Sequence, residues 1–158
     1  MSAEQIIHRL DLVEHPEGGW YREVYRAAGS IPQEALPDRF PGPRDYATHI
    51  YYLLVGDQVS HYHRIKSDEL WHFYDGEALD IHMLRDDGAR EILHLDREQP
   101  FGWVPADTWF AACVPSGPFA LAGCSVSPGF DFADFDLGAP AALLDQYPDL
   151  HDEILRFT

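Results

Sequence analysis

The stretch GDQVSHYHRIKSDELWHFYDG, residues 56–76, decides how this chain folds. It opens on Gly56-Asp57, a pair suited to a tight turn, and sets His61 and His63 two residues apart in a run from Val59 to Ile65. Side chains two apart on a strand share a face, so the two imidazoles are expected to project together. Lys66 to Asp68 read as a turn. The next strand then starts at Glu69 and returns its carboxylate to the same face, with Trp71 and Phe73 continuing the inward row. Two imidazoles and one carboxylate suit a divalent metal with open positions, such as Ni, Zn, Fe or Mn. Without metal, His61, His63 and Glu69 can exchange protons near neutral pH.

Outward from this stretch, residues 46–126 form short runs rich in Tyr, Ile, Val, Phe and Trp, broken by Gly, Asp and Pro at intervals of roughly ten residues. Eight strands are expected: Tyr46 to Leu54, Val59 to Ile65, Glu69 to Tyr74, Ala78 to Arg85, Ala89 to Leu95, Phe101 to Val104, Trp109 to Ala112 and Phe119 to Val126. The turns between them fall at Gly56-Asp57, Asp75-Gly76, Asp86-Asp87-Gly88 and Ser116-Gly117-Pro118. This rhythm is all-β and fits a jelly roll. Before it, Ser2 and Gln5 read as a capping box for a short helix ending near Asp11. A strand at about residues 20 to 26 follows, then a Pro-rich loop from Ala27 to Asp45 that is long enough to suggest a flap or a partner contact. Residues 127–158 read as an acidic aromatic strand, FDFADFDL, and a closing helix with Leu150, Ile154 and Phe157 on one face. With no linker and no repeat, one domain over 1–158 is expected.

Composition narrows the function classes. A formal net charge of -16 opposes binding to phosphate backbones and anionic lipid, so neither nucleic acid nor membrane is an expected partner. Lys66 is the one lysine, which leaves any carboxylate or phosphate to the arginines, with Arg22, Arg26 and Arg64 nearest the residues of interest. Nothing at the N-terminus marks export, and the reading is cytoplasmic. Cys113 and Cys124 are expected as reduced, packed thiols.

The pattern Gly, spacer, His61-x-His63, spacer, Glu69, six residues, Gly76 resembles the first motif of the cupin superfamily, although the five residues between His63 and Glu69 exceed the usual gap. Where the second cupin motif would place Gly and the fourth ligand His, Pro105-Ala106-Asp107-Thr108-Trp109-Phe110 has Asp107 and Phe110. With Glu17 to Glu23, Ser60 to Arg64, Ser67 to Phe73, Val104-Pro105-Ala106 and Val126 to Phe132 added, the chain resembles the cupin_5 family, domain of unknown function 985. The resemblance implies a cupin double-stranded β-helix with short N- and C-terminal helices, and a homodimer. It also implies similarity to dTDP-sugar epimerases, which work without metal through a His base and a Tyr acid.

The expected function is binding of a small polar metabolite, of sugar or keto-acid type, with chemistry on it. His61, His63 and Glu69 are the candidate catalytic groups and metal ligands, with Tyr62 as an acid. Tyr52, Arg22, Trp71, Phe73 and Phe110 are the candidate substrate contacts, as anchor, anion partner and aromatic wall. A cupin that only binds or senses a ligand is the alternative, and it would need the cavity without the proton traffic. Surface or structural roles are expected for His72 and His82, and the Glu17-Gly18-Gly19 turn is expected to set backbone geometry.

Overall fold

Alternating burial and Gly/Asp turns set the order of elements in the computed structural model, which describes residues 1–158. Helix α1 (Ala3–Leu10) starts as expected: Ser2 Oγ accepts from the Gln5 N–H, and the Gln5 side chain accepts from the Ser2 N–H. Strands β1 (Val13–Glu14) and β2 (Trp20–Arg26) follow. The expected loop that comes next also carries a short ladder of β3 (Ser30–Ile31) and β4 (Arg44–Asp45). Then come β5 (Thr48–Val55), β6 (Val59–Arg64), β7 (Asp68–Gly76), β8 (Leu79–Leu84) and β9 (Arg90–Leu95). They are followed by β10 (Phe101–Val104), β11 (Trp109–Cys113), β12 (Phe119–Ser127) and β13 (Asp136–Leu137). The chain ends in two helices, α2 (Pro140–Gln146) and α3 (His151–Arg156), where one was expected. Pro148 between them has no N–H to continue the first helix.

The strands make two facing sheets, ordered β1-β2-β5-β12-β7-β10 and β13-β6-β11-β8-β9, which is the jelly roll expected from the turns. Their inner faces bury one core that includes Tyr52, Leu54, Trp71, Phe73, Ile81 and Phe110. Helix α1 lies on the outside of the six-stranded sheet over Leu53 and Phe119. Helices α2 and α3 cover the outside of the five-stranded sheet through Leu143, Ile154 and Phe157, packed on Tyr62, Leu84 and Cys113. No helix is long and apolar enough to cross a membrane. Both cysteines are free and buried.

Helix α3 is also tied down electrostatically. Glu153 accepts from Tyr62 Oη at 2.8 Å and from His82 Nδ1 at 3.0 Å, and pairs with Arg90. The other His82 nitrogen faces Cys113 Sγ at 3.7 Å. Burial works against the charge on His82, but Cys113 and Glu153 outweigh it and raise the pKa to about 9. Burial likewise opposes the Glu153 charge, yet the bonds from His82, Arg90 and Tyr62 hold it at about 2. The His82 contribution to stability is complete below its ordinary 6.5 and is lost as pH rises through about 9. That of Glu153 is complete above its ordinary 4.5 and is lost as pH falls through about 2. Glu153→Gln is therefore expected to cost about 1.5–3 kcal/mol in urea unfolding between these ordinary values, with the deficit shrinking toward both extremes. A deficit that does not vary with pH would show that the pair adds nothing as charges.

Candidate functional site

A carboxylate that the charge pattern did not single out organises the site. Glu17 sits in the turn between β1 and β2 and is only 5% exposed. The turn is closed by Gly18 N–H to the His15 carbonyl and His15 N–H to the Gly19 carbonyl, both 3.0 Å. It presses against β6, where the Glu17 carbonyl accepts from the His61 N–H at 2.7 Å. Gly18 has φ +104°, and a Cβ there would lie 2.2 Å from the Val59 carbonyl oxygen, so only glycine fits. Glu17 Oε1 accepts from Ser60 Oγ at 3.0 Å, and Oε2 lies 3.0 Å from His63 Nε2.

The other His63 nitrogen, Nδ1, is 2.7 Å from the His61 carbonyl. Both partners are acceptors, which assigns a proton to each ring nitrogen and makes His63 an imidazolium. Burial opposes that charge, but Glu17, and after it Glu69 and the His61 carbonyl, raise the pKa. The ring is held between Phe110, 4.1 Å away by centroids, and Phe135, stacked at 5.5 Å. Burial also works against the Glu17 charge, and His63, His15 and Ser60 more than offset it, so this carboxyl lies below its ordinary range. His15 Nδ1 accepts from the Glu17 N–H at 3.2 Å. Burial keeps this imidazole neutral, with Glu17 opposing and His63 reinforcing.

His63, Glu17 and Glu69 line a cavity of about 490 Å³ beside His15, Tyr21, Ile50 and Cys124. Burial drives the Glu69 pKa up to about 7; His63 opposes the rise and Glu17 adds to it. The outer wall is aromatic: Phe130, Phe132 and Phe135 come from the acidic segment that was expected to be a strand. That segment is instead a bend with a 3-10 turn at Phe132–Asp134, capped by Asp131, before β13. Its Asp134 takes a bidentate pair from Arg44 Nε and Nη2 at 2.7 and 2.6 Å, with both side chains buried. The segment from Ala27 to Asp45 thus braces the cavity wall.

The remaining expected residues separate. His61 does not line the cavity with His63. Opposite Phe110 and Ala112 of β11, strand β6 places His63 and Ser60, so three residues of one strand span two of the other. This bulge resets the alternation, turning Ser60 and His63 inward, while His61 Nδ1 reaches the Glu17 carbonyl at 2.6 Å. Tyr62 faces the opposite side, toward Glu153. Tyr52 is buried in the core, and its hydroxyl donates to the Gly18 carbonyl at 2.7 Å. The tyrosine on the cavity wall is Tyr21. Arg22 lies at the surface against Asp11 and the Leu10 carbonyl. Trp71, Phe73 and Phe110 are core residues, Phe110 also backing His63. Trp71 Nε1 is the one buried side-chain polar atom without a partner. His72 faces outward to Ser125, at 3.4 Å.

These positions do not fit a His61–His63–Glu69 metal centre. Both His63 nitrogens are engaged, by Glu17 and the His61 carbonyl, the His61 ring is outside the cavity, and Phe110 stands where the second cupin motif supplies a ligand. No group of three or more His, Cys, Asp or Glu side chains is arranged to hold a metal ion.

A buried carboxyl with a raised pKa weakens the fold as it ionises: the penalty is absent below its ordinary 4.5 and complete above about 7. Glu69→Gln is expected to gain about 1–3 kcal/mol over the parent chain as pH rises across this interval, read by urea unfolding at a series of pH values. An offset that stays constant with pH would mean that Glu69 titrates normally.

The family model Cupin_5, described as cupin superfamily (DUF985), matches residues 4–138. The crystal structure of protein SO0799 from Shewanella oneidensis is 34% identical with a TM-score of 0.89, covering 100% of this chain and 98% of that one. A hypothetical protein from Leishmania major is 30% identical with a TM-score of 0.88, covering 100% and 99%. Oxalate decarboxylase from Bacillus subtilis, described with Mn(II) centres, is 11% identical with a TM-score of 0.56 over 94% of this chain and 38% of that one, a likeness of fold alone. No curated protein matches the sequence. The match over most of the chain and the two full-length relatives place this protein in the Cupin_5 (DUF985) family of the cupin superfamily.

Proposed function

We propose that the cavity binds a small polar metabolite, of sugar or keto-acid type, and moves protons on it as an isomerase or epimerase does, using its own side chains. The observation that carries this reading is one imidazolium between two carboxyls whose proton affinities are pushed apart, Glu17 downward and Glu69 up to about 7. Carboxyls split in this way take different roles, one fixed as an anion and one free to exchange a proton. Glu69 is poised for proton transfer at neutral pH, where a general base works best.

In the proposed step, Glu69 takes the proton from the carbon next to a carbonyl, the C–H electron pair becomes the carbon–carbon double bond, and the carbonyl π pair moves onto oxygen to give an enediolate. His63 keeps its Nε2 proton on Glu17 and stabilises the enediolate through its positive charge. Glu17 holds the ring in place and balances its charge beforehand; it is a positioning residue. Return of the proton from Glu69 to carbon, as the oxygen pair re-forms the carbonyl, closes the cycle. The aromatic wall limits water at the floor. This division of labour replaces the expected tyrosine acid, because Tyr52 and Tyr62 are both committed elsewhere.

The test is exchange of solvent deuterium into the carbon next to the carbonyl across a panel of hydroxy-carbonyl compounds, followed by NMR. The full chain is expected to catalyse exchange on at least one of them, and Glu69→Gln to lose about 10²–10⁴-fold of that rate. Binding of panel members with no exchange on any would leave a cavity that only binds, and end the catalytic reading.

A further inference from the structure

The charges around the cavity restrict what it accepts. Every cation that faces it is already neutralised by the chain itself. His63 is paired with Glu17. Arg26, the one arginine on the lining, gives Nε and Nη2 to Glu23 at 2.9 and 2.7 Å, Nη1 to Asp45 at 2.8 Å, and Nη2 again to the Phe130 carbonyl at 3.2 Å. Arg44, behind the aromatic wall, is taken by Asp134. His15 is neutral. Against these stand Glu17, Glu23, Asp131 and a partly ionised Glu69 on the lining, so the acids outnumber the cations. Arg22 and Arg64, the other arginines that could have served an anion, lie away from the cavity against Asp11 and Asp136.

A phosphate or carboxylate entering here would lose its water, find no free guanidinium fork, and meet uncompensated carboxylates. What the cavity offers instead is aromatic surface. Phe132 is 52% exposed at the rim, and Phe130 and Phe135 continue the wall down to His63. Such faces suit the C–H side of a ring compound, while hydroxyls can bond to the carboxyls below.

We propose that the substrate is an uncharged hydroxy-carbonyl compound, a free sugar, and that keto acids, sugar phosphates and nucleotide sugars are excluded because Arg26 is held by Glu23 and Asp45. This inference rests on the proton-transfer reading for its chemistry, but not for its charge argument.

The experiment uses the full chain with labelled histidine and follows the His63 ring signals by NMR during titration with a free ketohexose, with pyruvate and with thymidine 5′-diphosphate. The ketohexose is expected to shift the His63 signals, and neither anion to do so. The double variant Glu23→Gln, Asp45→Asn releases Arg26 and is expected to bind thymidine 5′-diphosphate at least about tenfold more tightly than the parent chain. These are exposed ion pairs worth little to the fold, and an unchanged melting temperature verifies that the variant is intact. An anion that moves His63 in the parent chain, a ketohexose that fails to, or a double variant that gains no affinity would each overturn the inference. A ketohexose that binds without exchanging deuterium would leave this inference standing and remove the catalytic reading instead.

Discussion

The buried Glu17 carboxylate is the constraint to which the rest of the site answers. Ionised and nearly sealed from water, it would cost several kcal/mol if left alone. The chain meets that cost with a charged ring and a hydroxyl, His63 and Ser60. Both come from one strand, three residues apart, a spacing that regular alternation cannot bring to one face. The bulge in β6 is what brings them there. The turn that carries Glu17 must lie close against the same strand, which is why it runs through Gly18, whose position has no room for a Cβ.

The second constraint is the wall opposite. Phe130, Phe132 and Phe135 face a cavity and cannot be held by burial alone, so their segment is fastened by the Arg44–Asp134 pair. The pair joins residues ninety positions apart, linking the Pro-rich segment after β2 to the segment after β12. With both ends fixed, the wall stacks Phe135 on His63 and keeps the imidazolium dry on one side. Floor and wall are thus set by separate ion pairs, each bringing together distant parts of the chain.

This explains which features the sequence disclosed. The jelly roll was legible because turn residues and alternation act within a few positions: Gly76 and Gly88 do adopt positive φ at the expected reversals, and the Ser2–Gln5 box starts α1. The site was legible only in part. His63 and Glu69 were singled out by their spacing, but His61 was misplaced because a bulge depends on the partner strand. Glu17 was read as part of a turn, since a Glu before Gly-Gly resembles any surface reversal until β6 is laid against it. Its one signal was its place in the quoted family stretch, Glu17 to Glu23. The aromatic segment suggested a strand by its alternation, and the Asp131 cap and the Arg44 pair diverted it into a bend.

Strands β6 and β8, on either side of β11, supply the histidines of two His–Glu pairs that the sequence alone does not rank. On the outer face, His82 and Glu153 are enclosed by Tyr62, Arg90 and Cys113, and every partner strengthens the charged forms. Their pKa values, about 9 and about 2, leave neutral pH untouched, which is how a fastening for α3 should behave. On the inner face, His63 and Glu17 share their cavity with a third group, Glu69, that desolvation has pushed to about 7. Adding a second carboxyl beside an ion pair gives nothing to stability, because one of the two must be held against its own charge. A structural role accounts for the first pair completely. It leaves Glu69 unexplained, and the cavity above that carboxyl is where an explanation through chemistry has room to act.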